Sequence, residues 1–452
     1  MRLACVLLFA LTAAANDVRE YRQKHERQIL RELFDFLAIP NVATDEANIR
    51  RNAQHLLGML ERRGIQGRLL ESPAGGPPAV FGELRTPGAT KTIVMYAHYD
   101  GQPVVPSEWK TDPWTPTIVD GRIYARSASD DKGPIVAMLA ALDALRANSR
   151  RPSVNLKFFF EGEEEAGSHH LGPLLETHKD TLAADGWIFC DGPRHPSGAM
   201  QVVFGVRGTV GVTLTAKGPS RALHSGHYGN WAPNPIAILA NVLASMRDGE
   251  GNVRIAGFYD DVRPPTASER AAANALPDNE EELRRSLAIE KPEGGGERLP
   301  SRLLAPSVNF TGIRGGTLGV NAIPSEASAS IDFRLVPNQT PDRIRTIVEA
   351  HMRKHGFTNV TLAWGEGYAA ARTSIDLPFA QSVLRVVEKA TGAKPLVVPT
   401  FGGSLPLYHF ERTLKSPFVI VPVVNSDNNQ HAANENLRLE NLWEAIEIFA
   451  AL

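Results

Sequence analysis

The chain is poor in cysteine, with two among 452 residues, Cys5 and Cys190. Removal of an amino-terminal segment carrying Cys5 leaves one thiol, and no intramolecular disulfide can then form. Stability must come from a large core. Charge of one sign is also missing, since 48 Lys and Arg balance 50 Asp and Glu for a net charge of -2. That excludes a basic field for nucleic acid and an acidic tail of the disordered kind. No internal apolar run approaches the roughly 18 residues of a membrane span. No G-x-S-x-G, no G-x-G-x-x-G in a strand–helix context and no H-E-x-x-H occurs, which leaves serine-hydrolase, dinucleotide and single-zinc helix readings without support. There is no internal repeat.

The amino terminus stands apart. Met1-Arg2 precedes the apolar stretch LACVLLFALTAAA, which meets Asn16-Asp17. A short positive start, an apolar centre and small residues before a polar break read as a signal peptide over residues 1–15, cleaved near Ala14 or Ala15. The expectation is therefore a secreted or periplasmic protein with no membrane attachment after cleavage.

With 43% hydrophobic and 22% charged residues over this length, the remainder suits a globular protein of two domains or more. Asp17 to about Arg63 has helical spacing, with Ile29, Leu30, Leu33, Phe34 and Leu37, then Leu56, Leu57 and Leu60. Short apolar runs follow: Thr92–Tyr96, Leu156–Phe160, Trp187–Cys190 and Phe418–Val421. A strong helix opens near Pro134. Such strands with helices between them predict an α/β catalytic domain, its mostly parallel sheet covered by helices on both faces. From about Val206 the texture changes to the alternation of half-buried strands, at Val210, Val212, Leu214 and Ala216 and again at Ile331, Phe333 and Leu335. Thr340-Pro341 starts a helix that ends at Gly356. The expected division is a catalytic domain at 16–205 and 367–452, with an inserted, smaller α+β lid or dimerisation domain at 206–366. Residues 257–300 read as a surface excursion.

Chemistry-bearing residues follow the apolar strands. Tyr96 leads to His98 and Asp100. Phe160 leads to EGEEEAGS, four carboxylates within five residues, whose like charges repel and raise one another's pKa values. Cys190 leads to Asp191, and Val421 leads into a polar stretch containing His431. Ligands bind outside the carboxyl ends of strands in open α/β sheets, so these groups should meet at one rim. Asp130 and Asp131, just before the helix near Pro134, should lie beside them. Two histidines and several carboxylates at one rim form a metal-site inventory. A pair of cations about 3.5–4 Å apart, bridged by one aspartate, would offset the clustered charge.

The segments AHYDGQP, RSASDDKGP, EGEEEAGS, CDGP, LHSGHYGN, GGSLP and NNQHAANENL occur in the order and approximate spacing of a known family. The chain resembles the di-zinc peptidases, which include carnosinase, the cytosolic non-specific dipeptidase, carboxypeptidase G and aminoacylase. GFYDDV and DFRLVPNQTPD are similar to the dipeptidase branch.

The resemblance implies two zinc ions per subunit; manganese or cobalt would suit the same donors. It implies His98 and Asp191 on one ion, Glu165 and His431 on the other, and Asp130 bridging them. Asp100 is implied to orient His98. Glu164 is implied as the general base acting on a metal-bridged hydroxide. The family pairs base and ligand just before a small residue and a glycine, so Ala166-Gly167 favours Glu164 and Glu165 over Glu163 and Glu164. SASDDKG departs from the family's glycine-rich GRGxxDDKG, although the first aspartate still aligns. His224 is implied to stabilise the oxyanion from a partner subunit, hence a homodimer. Arg334 and Ser404 are implied to hold the substrate's free carboxylate, with Asn321 as a looser substrate-facing match. The implied activity is hydrolysis of dipeptides or of the terminal bond of short peptides. The alternative is an amidohydrolase of N-acyl or N-carbamoyl amino acids using the same ions.

Overall fold

The computed structural model describes residues 17–452 in full, and the expected leader at residues 1–15 lies outside the described residues. The first helix is assigned as Arg2–Leu37 and the second as Glu46–Glu61. The apolar spacing alone gives no reason for a break between them. The chain breaks because Pro40 disfavours helical backbone in the residue before it, and because Asp45 restarts the helix by accepting from the Asn48 backbone N–H at 3.1 Å. No helix among the described residues is long and apolar enough to cross a membrane.

Two compact units are distinct. The first comprises Met1–Phe204, Thr373–Val397 and His409–Leu452. Its sheet has eight strands among the described residues, in the order Gln66–Leu70, Ala79–Leu84, Asn155–Glu161, Thr92–His98, Gly186–Phe189, Phe418–Ile420, Gln201–Val203 and Leu396–Val398. The middle of the sheet is parallel: Thr92–His98 pairs in parallel with Asn155–Glu161 and Gly186–Phe189, and Gly186–Phe189 with Phe418–Ile420. Antiparallel strands lie toward its edges. The parallel strands are continuous apolar runs because flanking helices take both faces out of water. Lys132–Ala147 packs against the first helix and against Leu439–Ala451, while Glu46–Glu61 lies on Gln66–Leu70 and Ala79–Leu84. Phe410 sets its ring edge-on to Tyr96, Phe159, Trp187 and Phe189, with centroids 5.0–6.1 Å apart.

The second unit comprises Gly205–Arg372 and Val398–Tyr408. Its main sheet is antiparallel, in the order Ser307–Gly315, Glu326–Leu335, Gly208–Lys217 and Val360–Tyr368. The expected alternation appears directly: Val210, Val212, Leu214, Ile331, Phe333 and Leu335 enter a core shared with the helices Pro235–Met246 and Pro341–Lys354. Thr340 caps the latter by accepting from Arg343 N. The 257–300 stretch carries more order than its Pro and Gly content suggests. It includes Ala267–Ala275, started by a capping box between Thr266 and Glu269, and Glu280–Ser286.

Phe159 is fully buried, so Phe159→Ala should lower unfolding stability by about 3–5 kcal/mol. Denaturant titration followed by tryptophan fluorescence, with Trp187 alongside, measures this. A loss under 1 kcal/mol would mean the aromatic cluster is not the keystone of the sheet.

Candidate active site

All the groups expected at the rim lie in the first unit. His98 ends the Thr92–His98 strand and is fully buried. Its Nδ1 lies 3.2 Å from the Asp100 carbonyl and 3.4 Å from Asp100 Oδ1, and its Nε2 lies 2.9 Å from Asp130 Oδ1. Asp100 also accepts from the backbone N–H groups of Glu164 and Glu165, at 3.1 and 3.0 Å. The Asp100 carboxylate thus lies beside the imidazole and pins the acidic turn through two backbone N–H groups. His431 Nε2 lies 3.2 Å from Asp130 Oδ2 and 3.1 Å from Glu165 Oε2. Donor atoms of His98, Asp130 and Asp191 fall within 4.8 Å of one another, and so do those of Asp130, Glu165 and His431. Asp130 belongs to both triads. The peptide bond between Asp130 and Asp131 is cis.

The electrostatics are those of crowded, dehydrated carboxyls. Burial pushes Asp191 and Glu161 each up to about 7. Burial and the charge of Asp191 push Glu164 well above the carboxyl range, and burial does the same to Asp131. Asp130 moves the other way. Burial would raise it, but hydrogen bonds from His431 and His98 hold it below the usual range. His431 is raised to about 10 by Asp130 and Glu165. Burial opposes protonation of His98, yet Asp100 and Asp130 outweigh it and leave its pKa well above the ordinary value. Asp131 Oδ1 is buried with no hydrogen-bond partner. Mixed imidazole and carboxylate donors at this spacing, carrying surplus negative charge, fit divalent cations of the zinc, manganese or cobalt type.

Several supporting residues had no obvious sequence signal. Glu435 is fully buried and accepts from Ser127 N, Ser129 N, Ser129 Oγ, Asp130 N and Arg126 Nη1 at 2.7–3.0 Å. It therefore fixes the backbone that presents Asp130. Gln102 donates to Glu165 Oε2 at 2.8 Å. Glu163 faces His170, accepting from its backbone N at 3.0 Å, with His170 Nδ1 2.8 Å from Oε1. A run of glutamates conceals such differences, because their partners lie elsewhere in the chain.

The other expected site residues lie in the second unit. Arg334 donates from Nη1 to Ser404 Oγ at 3.1 Å and from Nε to Asp332 Oδ2 at 2.7 Å. His224 is exposed on the short strand Leu223–His224, its Nδ1 accepting from Gly226 N at 3.1 Å. The Asn321 carbonyl accepts from Ser225 N at 3.0 Å.

A sheet rim carrying paired His–carboxylate triads defines a metal-dependent hydrolase site. The model of "Peptidase family M20/M25/M40" matches residues 94–452, and the chain belongs to that family. It is a metal-dependent peptide hydrolase. Human Beta-Ala-His dipeptidase is 29% identical over 391 residues, covering 83% of this chain and 76% of that protein. Cys-Gly metallodipeptidase DUG1 of Saccharomyces cerevisiae is 26% identical over 458 residues, 94% of each chain. The structure of the M20 family metallo-carboxypeptidase Sso-CP2 from Sulfolobus solfataricus superposes with a TM-score of 0.82 at 32% identity, over 94% of this chain and 98% of that one.

These relatives correct the expected location. The yeast enzymes DUG1 and DUG2, which match more than nine-tenths of the chain, are cytosolic. A secreted or periplasmic location is not upheld. An apolar start with small residues is equally compatible with the opening of a helix.

Two outcomes follow. Glu435→Gln leaves Arg126 without its carboxylate and loosens the Asp130 backbone, so zinc affinity of the apoprotein should fall about ten- to a hundredfold by calorimetry. Chelator-stripped protein should lose stability as pH rises from about 4 through about 7. Carboxyls with folded pKa values raised to about 7, at Asp191 and Glu161, bind more protons folded than unfolded over that window. Zinc needs them deprotonated, so the gain in Tm on adding zinc should widen from pH 5 to pH 8. A gain independent of pH would count against a cation among these carboxyls.

Proposed function

We propose that the chain is a dipeptidase that uses two divalent cations, zinc by preference of the donors, to hydrolyse unblocked dipeptides. Asp130 carries this reading, because it stands between His98 at 2.9 Å and His431 at 3.2 Å and is common to both triads. His98 and Asp191 would hold one cation, Glu165 and His431 the other, and Asp130 both. When bound, such a pair polarises the scissile carbonyl and makes water acidic enough to lose a proton near neutral pH.

Glu164 is the general base in this reading. Its neighbour Glu165 faces His431 and Glu163 faces His170, which leaves Glu164 as the carboxyl of the turn for proton transfer. Water adds to the carbonyl carbon as Glu164 takes its proton. The C–N bond then breaks and Glu164 delivers that proton to the leaving amine. Asp100 keeps the His98 ring in place. His224, supplied by the partner subunit of a homodimer, stabilises the oxyanion. Arg334 and Ser404 receive the free carboxylate, with Asn321 contributing a polar contact. The expected insert 206–366 acts as lid and dimerisation domain, joined by Val398–Tyr408, which belongs to the same unit and carries Ser404, and the rest of 16–205 and 367–452 acts as catalytic domain. The named specificities of the human and yeast relatives, a Beta-Ala-His dipeptidase and a Cys-Gly metallodipeptidase, favour dipeptides as substrates.

A panel of unblocked dipeptides, tested with and without chelator beside N-acetyl and N-carbamoyl amino acids, checks this directly. Chelator-sensitive release from the dipeptides is expected, and faster cleavage of the acylated amino acids would overturn it. Glu164→Gln should reduce kcat by about a hundred- to ten-thousandfold while zinc stays bound. Glu165→Gln should lose zinc. Reversed outcomes would shift the roles by one residue.

A further inference from the structure

Arg207 immediately precedes the Gly208–Lys217 strand and is almost wholly buried. Its Nη2 donates to Ser307 Oγ at 2.7 Å and to the Ala305 carbonyl at 3.2 Å. Its backbone N donates to the Gly403 carbonyl at 3.2 Å, one residue before Ser404. Its Nε is buried without a partner, and it forms no ion pair among the described residues. The neighbouring register is specific: Ser307 and Thr209 each pair with Arg334 across the sheet. The one carboxylate of this cluster, Asp332, is already taken. It accepts from Arg334 Nε at 2.7 Å, Thr209 Oγ1 at 2.8 Å and Asn309 Nδ2 at 3.4 Å.

Arg207 therefore lies near the like charges of Arg334 and Arg372, feels the charge of Asp332 without touching it, and has no anion in contact among the described residues. A buried charge without a partner is strongly unfavourable. Burial and the charge of Arg334 press the Arg207 guanidinium down to about 10. An anion arriving beside both would relieve that repulsion. Arg334 has two of its nitrogens committed, to Asp332 and Ser404, so it has limited capacity to grip a carboxylate alone.

We propose that Arg207 is a second carboxylate-binding arginine, which takes the free C-terminal carboxylate of the dipeptide together with Arg334 and Ser404 and so determines exopeptidase specificity. This rests on the proposed role of Arg334 and Ser404.

The test compares kcat/KM of zinc-loaded protein for L-alanyl-L-alanine and for its C-terminal amide. The unaltered protein should prefer the free acid at least about tenfold. Arg207→Gln should lose about ten- to a hundredfold on the free acid, mainly in KM, and less than about threefold on the amide, so the ratio collapses. If both substrates fall together, Arg207 is only a brace and the proposal is wrong. It is equally wrong if neither falls. An unaltered protein without preference for the free acid, and an Arg334→Gln variant without effect on that preference, would instead remove the role of Arg334 and Ser404. Arg207→Lys covers a glutamine variant that does not fold. One ammonium cannot hold Ser307 and a carboxylate as a planar fork does, so the ratio should drop at least about threefold, and an unchanged ratio overturns the proposal.

Discussion

The arrangement at the sheet rim depends on holding negative charge where water cannot dilute it. Asp130 is the centre of that constraint, with an imidazole on each carboxylate oxygen. A buried carboxylate needs donors and a fixed backbone, because an unpaired buried charge costs several kcal/mol. Asp130 is held from behind by Glu435, itself buried and saturated by five donors. Asp100 serves the acidic turn in the same way through two backbone N–H groups. Each negative group toward the centre is thus oriented by another placed behind it. The stacking is stable only with compensating positive charge, supplied within the protein by His98, His431 and Arg126 and, in a metal-dependent hydrolase, by cations.

The bracing extends beyond the matched family region, which begins at residue 94. Lys132, fully buried, donates to the carbonyls of Phe36 and Ile39 at 2.8 and 2.9 Å. Asn41 donates to the Tyr99 carbonyl at 2.7 Å and to Ser127 Oγ at 2.9 Å, and Gly101 N donates to the Asn41 carbonyl at 2.9 Å. A side chain at Gly101 would put its Cβ 2.3 Å from Ser127 Oγ, so any larger residue would displace Ser127, which Asn41 holds, or part the loop after His98 from the Asp130 loop. The end of the first helix is consequently part of the support for the site. The break at Pro40, which the helical spacing does not announce, is where that support is built.

What was legible in the sequence follows from this geometry. His98, the acidic cluster and Asp191 each come directly after an apolar run, so the rule about strand ends gathers them, and His431, in the polar stretch after Val421, could join them. Asp130 was legible as the start of a strong helix. The order within EGEEEAGS was not legible from local pattern, since adjacent glutamates differ only in their partners: His170, seven residues on, for Glu163, and Gln102 and His431 for Glu165. Glu435 was invisible for the same reason, because its donors lie some three hundred residues away in sequence. Arg334 and Ser404 carried no signal of their own, and only the family resemblance singled them out. The apolar start misled on location because short apolar stretches with small residues serve both helices and leaders.

Charge balance over the whole chain conceals how charge is used. The net value of -2 is the sum of a first unit that concentrates carboxylates at its sheet rim and a second that concentrates guanidinium groups at the end of its antiparallel sheet. Neither concentration is a surface field of the kind that steers large polyanions. Both are small and confined to a few side chains around Asp130 and around Asp332. A carboxylate-rich site can neutralise itself with cations taken from solution. Among the described residues, the carboxylate in hydrogen-bond contact with Arg334 is Asp332, already accepting from three residues. If Arg207 and Arg334 take the substrate's carboxylate as proposed, the negative site would be completed by a resident ion and the positive one only in the complex, which is the behaviour required of a specificity element.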